Sequence, residues 1–159
     1  MNDSAAPANA PEPTTEKAPV SQPPIWFTIT AWVALVWNLM GLLAFVGQVS
    51  ISQEQLAELP DAERALYDNI PMWASVAFGV AVLAGTLGCV ALLLRRRWAW
   101  HLFVLSLVGV IVQNVHGFLM SDALAVYGVQ ALVMVGMIVA IGIGLILLSS
   151  MATARGWLR

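Results

Sequence analysis

The sequence predicts an all-α integral membrane protein, a four-helix bundle with an up-down-up-down path through the bilayer. Of its 159 residues, 60% are hydrophobic and only 10% are charged, whereas soluble chains carry roughly 25% charged residues. The hydrophobic residues are also concentrated in four long uncharged segments. A chain this short cannot bury so many apolar side chains in a soluble core, because small folds need a large polar surface. Lipid is therefore the expected solvent.

The N-terminal segment, residues 1–24, differs in composition from the rest of the chain. It holds six of the eight prolines together with Ala, Ser, Thr and Glu. Such a composition cannot bury enough apolar surface to offset the entropy lost on ordering, so we expect a disordered tail. Its only basic residue is Lys17 and it has no apolar run, which is unlike a secretory signal.

The predicted membrane spans are residues 25–47, 72–94, 98–120 and 124–148. Crossing a hydrocarbon core of ~30 Å takes about 20 helical residues, and each segment reaches that length without an Asp, Glu, Lys or Arg. Lipid offers no hydrogen-bond partner to the backbone, so each span must be helical. The transmembrane domain then covers residues 25–150, and a short basic tail covers residues 151–159.

The positions of the basic residues predict the orientation in the membrane. Six of the seven would lie on one side: Lys17, Arg95, Arg96, Arg97, Arg155 and Arg159. Only Arg64 would lie on the other side. The positive-inside rule places both termini in the cytoplasm, with the protein in a bacterial inner membrane. The three consecutive arginines are interpreted as the topology determinant, and binding of anionic lipid headgroups is the alternative.

The loop between the first two spans, residues 48–71, is acidic. It has five carboxylates against one arginine, a net charge of −4. Ser52 and Gln55 have the spacing of a capping box, Pro60 can begin another helix and Pro71 precedes the second span. We therefore expect two short helices in this loop.

Two spans carry small residues at helical spacing. The predicted helix-packing residues are Ala81, Gly85 and Gly88 in the second span and Gly136, Ala140 and Gly144 in the fourth. Small side chains let helix backbones approach closely in lipid, where van der Waals packing holds helices together. We expect packing within the bundle, and a homodimer face is the alternative.

Neutral polar and aromatic side chains within the spans form the candidate site. The set comprises Trp37, Asn38, Gln113, Asn114, His116 and Gln130. An unpaired amide is costly in apolar surroundings, so these groups need a partner in another helix, in water or in a ligand. Interhelical hydrogen bonding is one interpretation. The other is a shallow vestibule for a neutral polar solute such as a sugar, with the amides bonding hydroxyls and the indole stacking on a C–H face.

The same inventory excludes several other functions. No Asp or Glu lies within a span, which argues against a proton-coupled antiporter, and the single cysteine, Cys89, excludes an internal disulfide. His101 and His116 are roughly 22 Å apart along one helix, too far to share a haem iron, and no donor cluster predicts a metal or another cofactor. The scattered cations give no surface for nucleic acid. No nucleophile and base can be assembled, so an enzyme is not expected.

Several short motifs carry a resemblance to known proteins: WNLMG at residues 37–41, LP at 59–60 followed by RALY at 64–67, GTLGC at 85–89 ahead of the arginines, and GWL at 156–158. With these motifs, residues 25–159 resemble a group of small bacterial four-span membrane proteins that genome catalogues often label sugar transporters. The resemblance implies a class of solute and brings no catalytic residues with it.

The leading prediction is a small polytopic membrane protein that transports or binds a neutral polar solute such as a sugar. A complete path would require a homodimer packed on the glycine stripes, since four helices rarely enclose one. The alternative is a non-transporting scaffold or accessory subunit, whose acidic loop or proline-rich tail contacts a membrane-protein partner.

Overall fold

The computed structural model describes residues 22–121 and 123–159; the predicted tail before residue 22, with Lys17, lies outside them. The described residues form seven helices and no strand: α1 (Ile25–Ser50), α2 (Gln53–Glu58), α3 (Asp61–Asp68), α4 (Met72–Leu93), α5 (Ala99–Leu119), α6 (Ala123–Tyr127) and α7 (Val129–Ala154). Four of these, α1, α4, α5 and α7, are long and apolar enough to cross a membrane. The all-α prediction is confirmed, and the four helices are those of a multi-pass membrane protein in contact with lipid.

The loop between α1 and α4 contains the two predicted short helices. Ser52 caps α2: its side chain accepts a hydrogen bond from the Gln55 backbone N–H at 3.2 Å, and the Gln55 side chain accepts one from the Ser52 N–H at 3.0 Å. This is the capping box that the spacing predicts. Pro60 precedes α3 and Pro71 precedes α4, positions where the missing proline N–H costs nothing.

The fourth span differs from the predicted segment at both ends. Gly128 separates α6 from α7 with φ 59° and ψ −148°, a backbone conformation that glycine adopts without steric cost. The long helix therefore begins at residue 129 instead of 124. It continues past residue 148 because Ser149 and Thr153 donate their hydroxyls to the carbonyls of Ile146 and Ser149, both at 2.9 Å. Their polar groups are thereby satisfied within the helix.

The long helices pack in the order in which they occur in the chain. Helix α1 packs on α4, α4 on α5 and α5 on α7. The fraction of buried residues in the most apolar stretch is 50% in α4 but 11% in α1 and 6% in α7. Helix α4 is therefore the central helix, and α1 and α7 are the outer ones.

Helices α4 and α5 approach most closely at Gly109. A Cβ atom added there would lie 2.8 Å from the Ala77 carbonyl oxygen and 3.0 Å from the Ala81 Cβ atom. Only a residue without a side chain allows the two backbones to lie at this distance. The sequence predicted Ala81 as a packing residue on α4 but no packing position on α5, so the role of Gly109 was missed.

The two ends of the bundle carry different elements. One end, called the arginine end, contains the turn of Arg95–Arg97, and the other, called the loop end, contains α2, α3 and α6. At the arginine end, the last residues fold back onto the turn: the Arg97 N–H donates to the Arg159 carbonyl at 3.1 Å, and the Arg159 N–H donates to the Arg95 carbonyl at 2.7 Å. Trp157 and Leu158 are buried, so the predicted basic tail is packed against the bundle.

Candidate functional site

A cavity of about 380 Å³ lies among all four long helices. This volume falls within the ~300–1,000 Å³ that is usual for small-molecule sites. Its walls are mostly aliphatic and aromatic, and its nineteen lining residues include no charged side chain and no histidine. A ligand that fits this site is therefore neutral.

Four of the six predicted site residues line this cavity: Trp37 and Asn38 on α1, and Gln113 and Asn114 on α5. On α1, the indole and the amide are adjacent, near the middle of the helix. On α5, Gln113 lies about six residues, or roughly 9 Å, from the end of the helix at Leu119. The structure thus brings together side chains that are about 75 residues apart in the chain.

Asn38 is held where α1 packs on α4. Its Nδ2 donates to the Ala34 carbonyl at 2.9 Å and to the Cys89 Sγ at 3.5 Å. The first bond orients the amide, because a carbonyl oxygen can only accept. The Asn38 Oδ1 lies against the backbone of Gly85, where an added Cβ would collide with it. Gly85 therefore makes room for the amide in addition to letting the helices approach.

Ser106 is a lining residue that the sequence interpretation missed. Its Oγ donates to the Ala81 carbonyl at 2.7 Å and would lie 3.0 Å from a Cβ added at Gly85. Serine gives a weak signal in a span, because its hydroxyl can usually bond a carbonyl within its own helix. The available signal was its spacing of seven residues from Gln113, which places both on one helix face.

The two amides on α5 differ in their hydrogen bonds. The Asn114 Nδ2 donates one N–H to the Val110 carbonyl at 2.8 Å, which leaves its second N–H as a donor and its Oδ1 as an acceptor. The Gln113 amide has no hydrogen-bond partner among the described residues, and it is half-buried. None of its polar atoms is fully enclosed, since every enclosed side-chain N or O atom in residues 22–121 and 123–159 has a partner. Gln113 therefore offers both a donor and an acceptor to a ligand.

The other two predicted residues lie outside the cavity. His116 is 8% exposed and packs edge-on against Trp73, with 5.6 Å between the ring centroids. Gln130 is exposed at the start of α7. His116 lies about one turn nearer the end of α5 than Gln113 and faces Trp73 on α4. Gln130 lies in the first turn of α7, because that helix begins at Val129 and not at residue 124, so it does not share the depth of Gln113.

The two predicted packing stripes also lie in different surroundings. Ala81, Gly85 and Gly88 are buried on α4, and a Cβ at Gly88 would lie 2.7 Å from the Phe103 ring. On α7, Gly136, Ala140 and Gly144 are exposed, with open space around both glycines. The cavity-lining residues of α7, such as Ile138 and Ile141, occupy another face of that helix. The second stripe therefore does not pack within the chain.

No titratable side chain among the described residues lines the cavity. No group of three or more His, Cys, Asp or Glu side chains in the described ranges could hold a metal ion. At the loop end, burial and the negative charge of Glu63, together with Tyr67, raise the pKa of Tyr127. Helices α3 and α6 are in contact, and neither contributes a residue to the cavity wall.

Comparison of the chain with protein families, curated proteins and solved structures finds no match. The cavity and its polar side chains are therefore the basis for assigning a function.

Proposed function

We propose that the protein binds a neutral, hydroxyl-bearing solute inside the membrane, in the cavity among α1, α4, α5 and α7. The observation that carries this proposal is the convergence of Asn38, Ser106, Gln113 and Asn114 on a cavity with no charged lining residue. Binding requires no chemical step, in keeping with a chain for which no enzymatic activity is expected.

The unpaired amide of Gln113 supports a ligand site over simple packing. An amide without a partner in apolar surroundings costs about 1–3 kcal/mol. Hydrogen bonding between helices would remove that cost, yet the Gln113 amide has no partner among the described residues. A bound hydroxyl group would form hydrogen bonds with this amide. Part of the binding free energy would then come from removing the cost of the unpaired amide.

Sugars belong to this ligand class and are what the sequence resemblance implies. Asn38, Gln113 and Asn114 supply amide groups for hydroxyls, and Trp37 supplies an aromatic face. Transport would follow binding if the cavity opened in turn to each side of a bacterial inner membrane. The concentration of arginines at one end and carboxylates at the other supports an orientation with the arginine end in the cytoplasm.

The test compares two matched substitutions in purified protein: Gln113→Leu removes the unpaired amide from the cavity, and Gln130→Leu removes an exposed amide outside it. Thermal stabilisation is measured with monosaccharides, disaccharides and uncharged long-chain alcohols. We expect Gln113→Leu to weaken binding about tenfold, the effect of one hydrogen bond, and Gln130→Leu to leave it unchanged. Without ligand, Gln113→Leu should melt at a slightly higher temperature than native protein.

Two outcomes would contradict the proposal. One is that no compound in the panel stabilises the native protein. The other is that both leucine variants bind as tightly as the native chain. A fall in the unliganded melting temperature of Gln113→Leu would show that the amide is structural.

A membrane accessory subunit is the second candidate function. The observation that favours it is the outward position of Gly136, Ala140 and Gly144 on α7, which leaves room for another helix. Co-purification of a different chain in a fixed ratio, without any stabilising solute, would favour this function over ligand binding. Self-association alone would instead favour a homodimer of the binding protein.

A further inference from the structure

The cavity opens sideways between the two outer helices. Because α1 packs on α4, α4 on α5 and α5 on α7, the four helices form an arc, and its two ends make at most marginal contact among the described residues. Both ends contribute to the cavity wall. The rim residues Met40 on α1 and Met134 on α7 are 61% and 55% exposed. The open side of the arc is therefore the gap between α1 and α7.

This gap is closed at the arginine end. Trp157 packs against Phe27 and Trp26, with ring centroids 5.5 Å and 6.0 Å apart. The contact joins the start of α1 to the segment after α7. The rim residues themselves lie inside the membrane-spanning helices, so the medium outside the gap is the hydrocarbon of the bilayer.

The polar groups of the cavity offer both hydrogen-bond acceptors and donors. The amide nitrogens of Asn38 and Asn114 and the hydroxyl of Ser106 all donate to backbone carbonyls. These bonds leave the two Asn Oδ1 atoms and the lone pairs of the Ser106 hydroxyl. Unused donors remain on Gln113, on the second N–H of the Asn114 amide and on the Trp37 indole. A ligand that satisfies this set must both donate and accept hydrogen bonds, as a hydroxyl group does.

The rest of the wall excludes a ligand that is polar on all sides. Of the nineteen lining residues, five are Trp37, Asn38, Ser106, Gln113 and Asn114. The other fourteen are Ala, Gly, Val, Leu, Ile, Met or Phe. A sugar would leave most of its hydroxyls against these side chains without partners, which is costly. A group of the size of a water molecule takes roughly 30 Å³. A cavity of about 380 Å³ therefore holds about a dozen such groups, enough for a hydroxylated head and part of one alkyl chain, whose end would extend through the gap into the bilayer.

We propose that the ligand is an uncharged single-chain lipid with a hydroxylated head, which enters from the bilayer between α1 and α7. The inference rests on the proposed function and narrows it to one ligand class. The chain lies against the apolar wall, and the hydroxyls donate to the acceptors on α1 and α5. A lipid of this kind reaches the site without crossing either aqueous face.

The test uses the native protein in nanodiscs of phosphatidylcholine, whose lipids have two chains and no hydroxyl donor. Sugar-headed detergents are avoided because they belong to the proposed ligand class. Three probes separate the requirement for an alkyl chain from the requirement for a hydroxyl donor. 1-Monolauroylglycerol has the chain and the hydroxyls, methyl laurate has the same chain without a donor, and glucose has hydroxyls without a chain. We expect thermal stabilisation by 1-monolauroylglycerol, roughly tenfold weaker binding of methyl laurate and none of glucose.

The sideways path is tested with a matched pair on α7. Met134→Trp enlarges a rim residue, whereas Met137→Trp makes the same change at a position that is 44% exposed and does not line the cavity. We expect Met134→Trp to weaken or slow binding of 1-monolauroylglycerol at least about fivefold. Met137→Trp should bind as the native protein does.

The outcomes separate this inference from the function on which it rests. If glucose stabilises the protein and 1-monolauroylglycerol does not, the lipid inference is overturned and the binding of a neutral solute stands. Equal binding of methyl laurate and 1-monolauroylglycerol overturns the requirement for a donor, and with it the inference. If both tryptophan variants bind normally, access between α1 and α7 is refuted. If none of the probes and no compound in the wider panel binds, both proposals fail.

Discussion

The arginine end and the loop end of the bundle are built differently. At the arginine end, a continuous core joins all four long helices and the last residues of the chain: Phe27, Ala31, Ala34, Cys89, Ala91, Leu92, Ala99, Phe103, Leu145, Ala152, Trp157 and Leu158. Towards the loop end, residues 35–50 of α1 and 129–144 of α7 include no buried side chain. The first region is a packed core, and the second surrounds a cavity.

The difference follows from side-chain sizes. Alanines on α1, α4, α5 and α7 let the helices approach at the arginine end, and the rings of Phe27, Phe103 and Trp157 fill the remaining space. In α1 after Ala34, and in α7 before Leu145, no side chain of these outer helices is fully buried. The outer helices are therefore anchored mainly at the arginine end, and towards the loop end they form walls of the cavity.

The largest expected effect comes from a matched pair of phenylalanines on α1. Phe27 is 2% exposed in the core at the arginine end, whereas Phe45 is half-buried and packs edge-on against Phe78, 5.4 Å between centroids. Phe27→Ala should lower the free energy of unfolding by about 3 kcal/mol because it leaves a cavity. Phe45→Ala should cost about 1 kcal/mol, the value of a ring pair. Reversible unfolding in mixed micelles measures both, and equal losses would remove the distinction between the two ends.

A smaller effect is expected from glycine substitutions that compare the central and outer helices. Gly109→Ala places a Cβ 2.8 Å from the Ala77 carbonyl oxygen, a backbone atom that cannot rotate away. We expect a loss of about 2 kcal/mol in the free energy of unfolding. Gly136→Ala meets nothing within 4 Å on α7 and should gain up to about 0.5–1 kcal/mol from helix propensity. A loss at Gly136 would show that this face is packed in the folded protein.

The smallest effect concerns the two helix ends that meet at the arginine end. Both α4 and α7 end in a Schellman motif: the Arg96 N–H donates to the Ala91 carbonyl at 2.8 Å, and the Trp157 N–H donates to the Ala152 carbonyl at 2.9 Å. The left-handed position is Gly156 in one motif, with φ 71°, and Arg95 in the other, with φ 56°.

Substitutions at these two positions should have effects of opposite sign. Gly156→Ala should lower the free energy of unfolding by about 1 kcal/mol, and Arg95→Gly should raise it by up to about 1 kcal/mol, because only glycine adopts this conformation without strain. Arg96→Gly removes the same charge without relieving strain, so it serves as the control. Melting temperatures in the same nanodiscs measure all three. Stabilisation by Arg96→Gly as large as that by Arg95→Gly would attribute the effect to charge instead.

The sequence predicted most of the helices because the relevant signals are local. The spans were predicted from runs without charge, and α2 from the capping box of Ser52 and Gln55. The break at Gly128 was missed because a glycine in an apolar run is compatible with a continuous helix. The structure shows the break through the positive φ of Gly128, 59°.

The candidate site was predicted less completely than the fold. Asn38, Gln113 and Asn114 were found because amides are conspicuous in an apolar helix, and Ser106 was missed because serine is not. His116 and Gln130 were grouped with them because both are polar residues within the predicted spans. The break at Gly128 places Gln130 at the start of α7, and the direction of His116 around the axis of α5 follows from its packing against Trp73.

The sequence by itself therefore determined that the chain has four apolar helices, approximately where each begins and ends, and which polar groups they contain. Only the tertiary structure decided how each helix is rotated, that α1 and α7 stand apart, and that the stripe on α7 faces outward. The physical reason is that lipid and protein interior are equally apolar. No hydrophobic pattern distinguishes the inner face of such a helix from the outer one, and the choice rests on close van der Waals packing between helices.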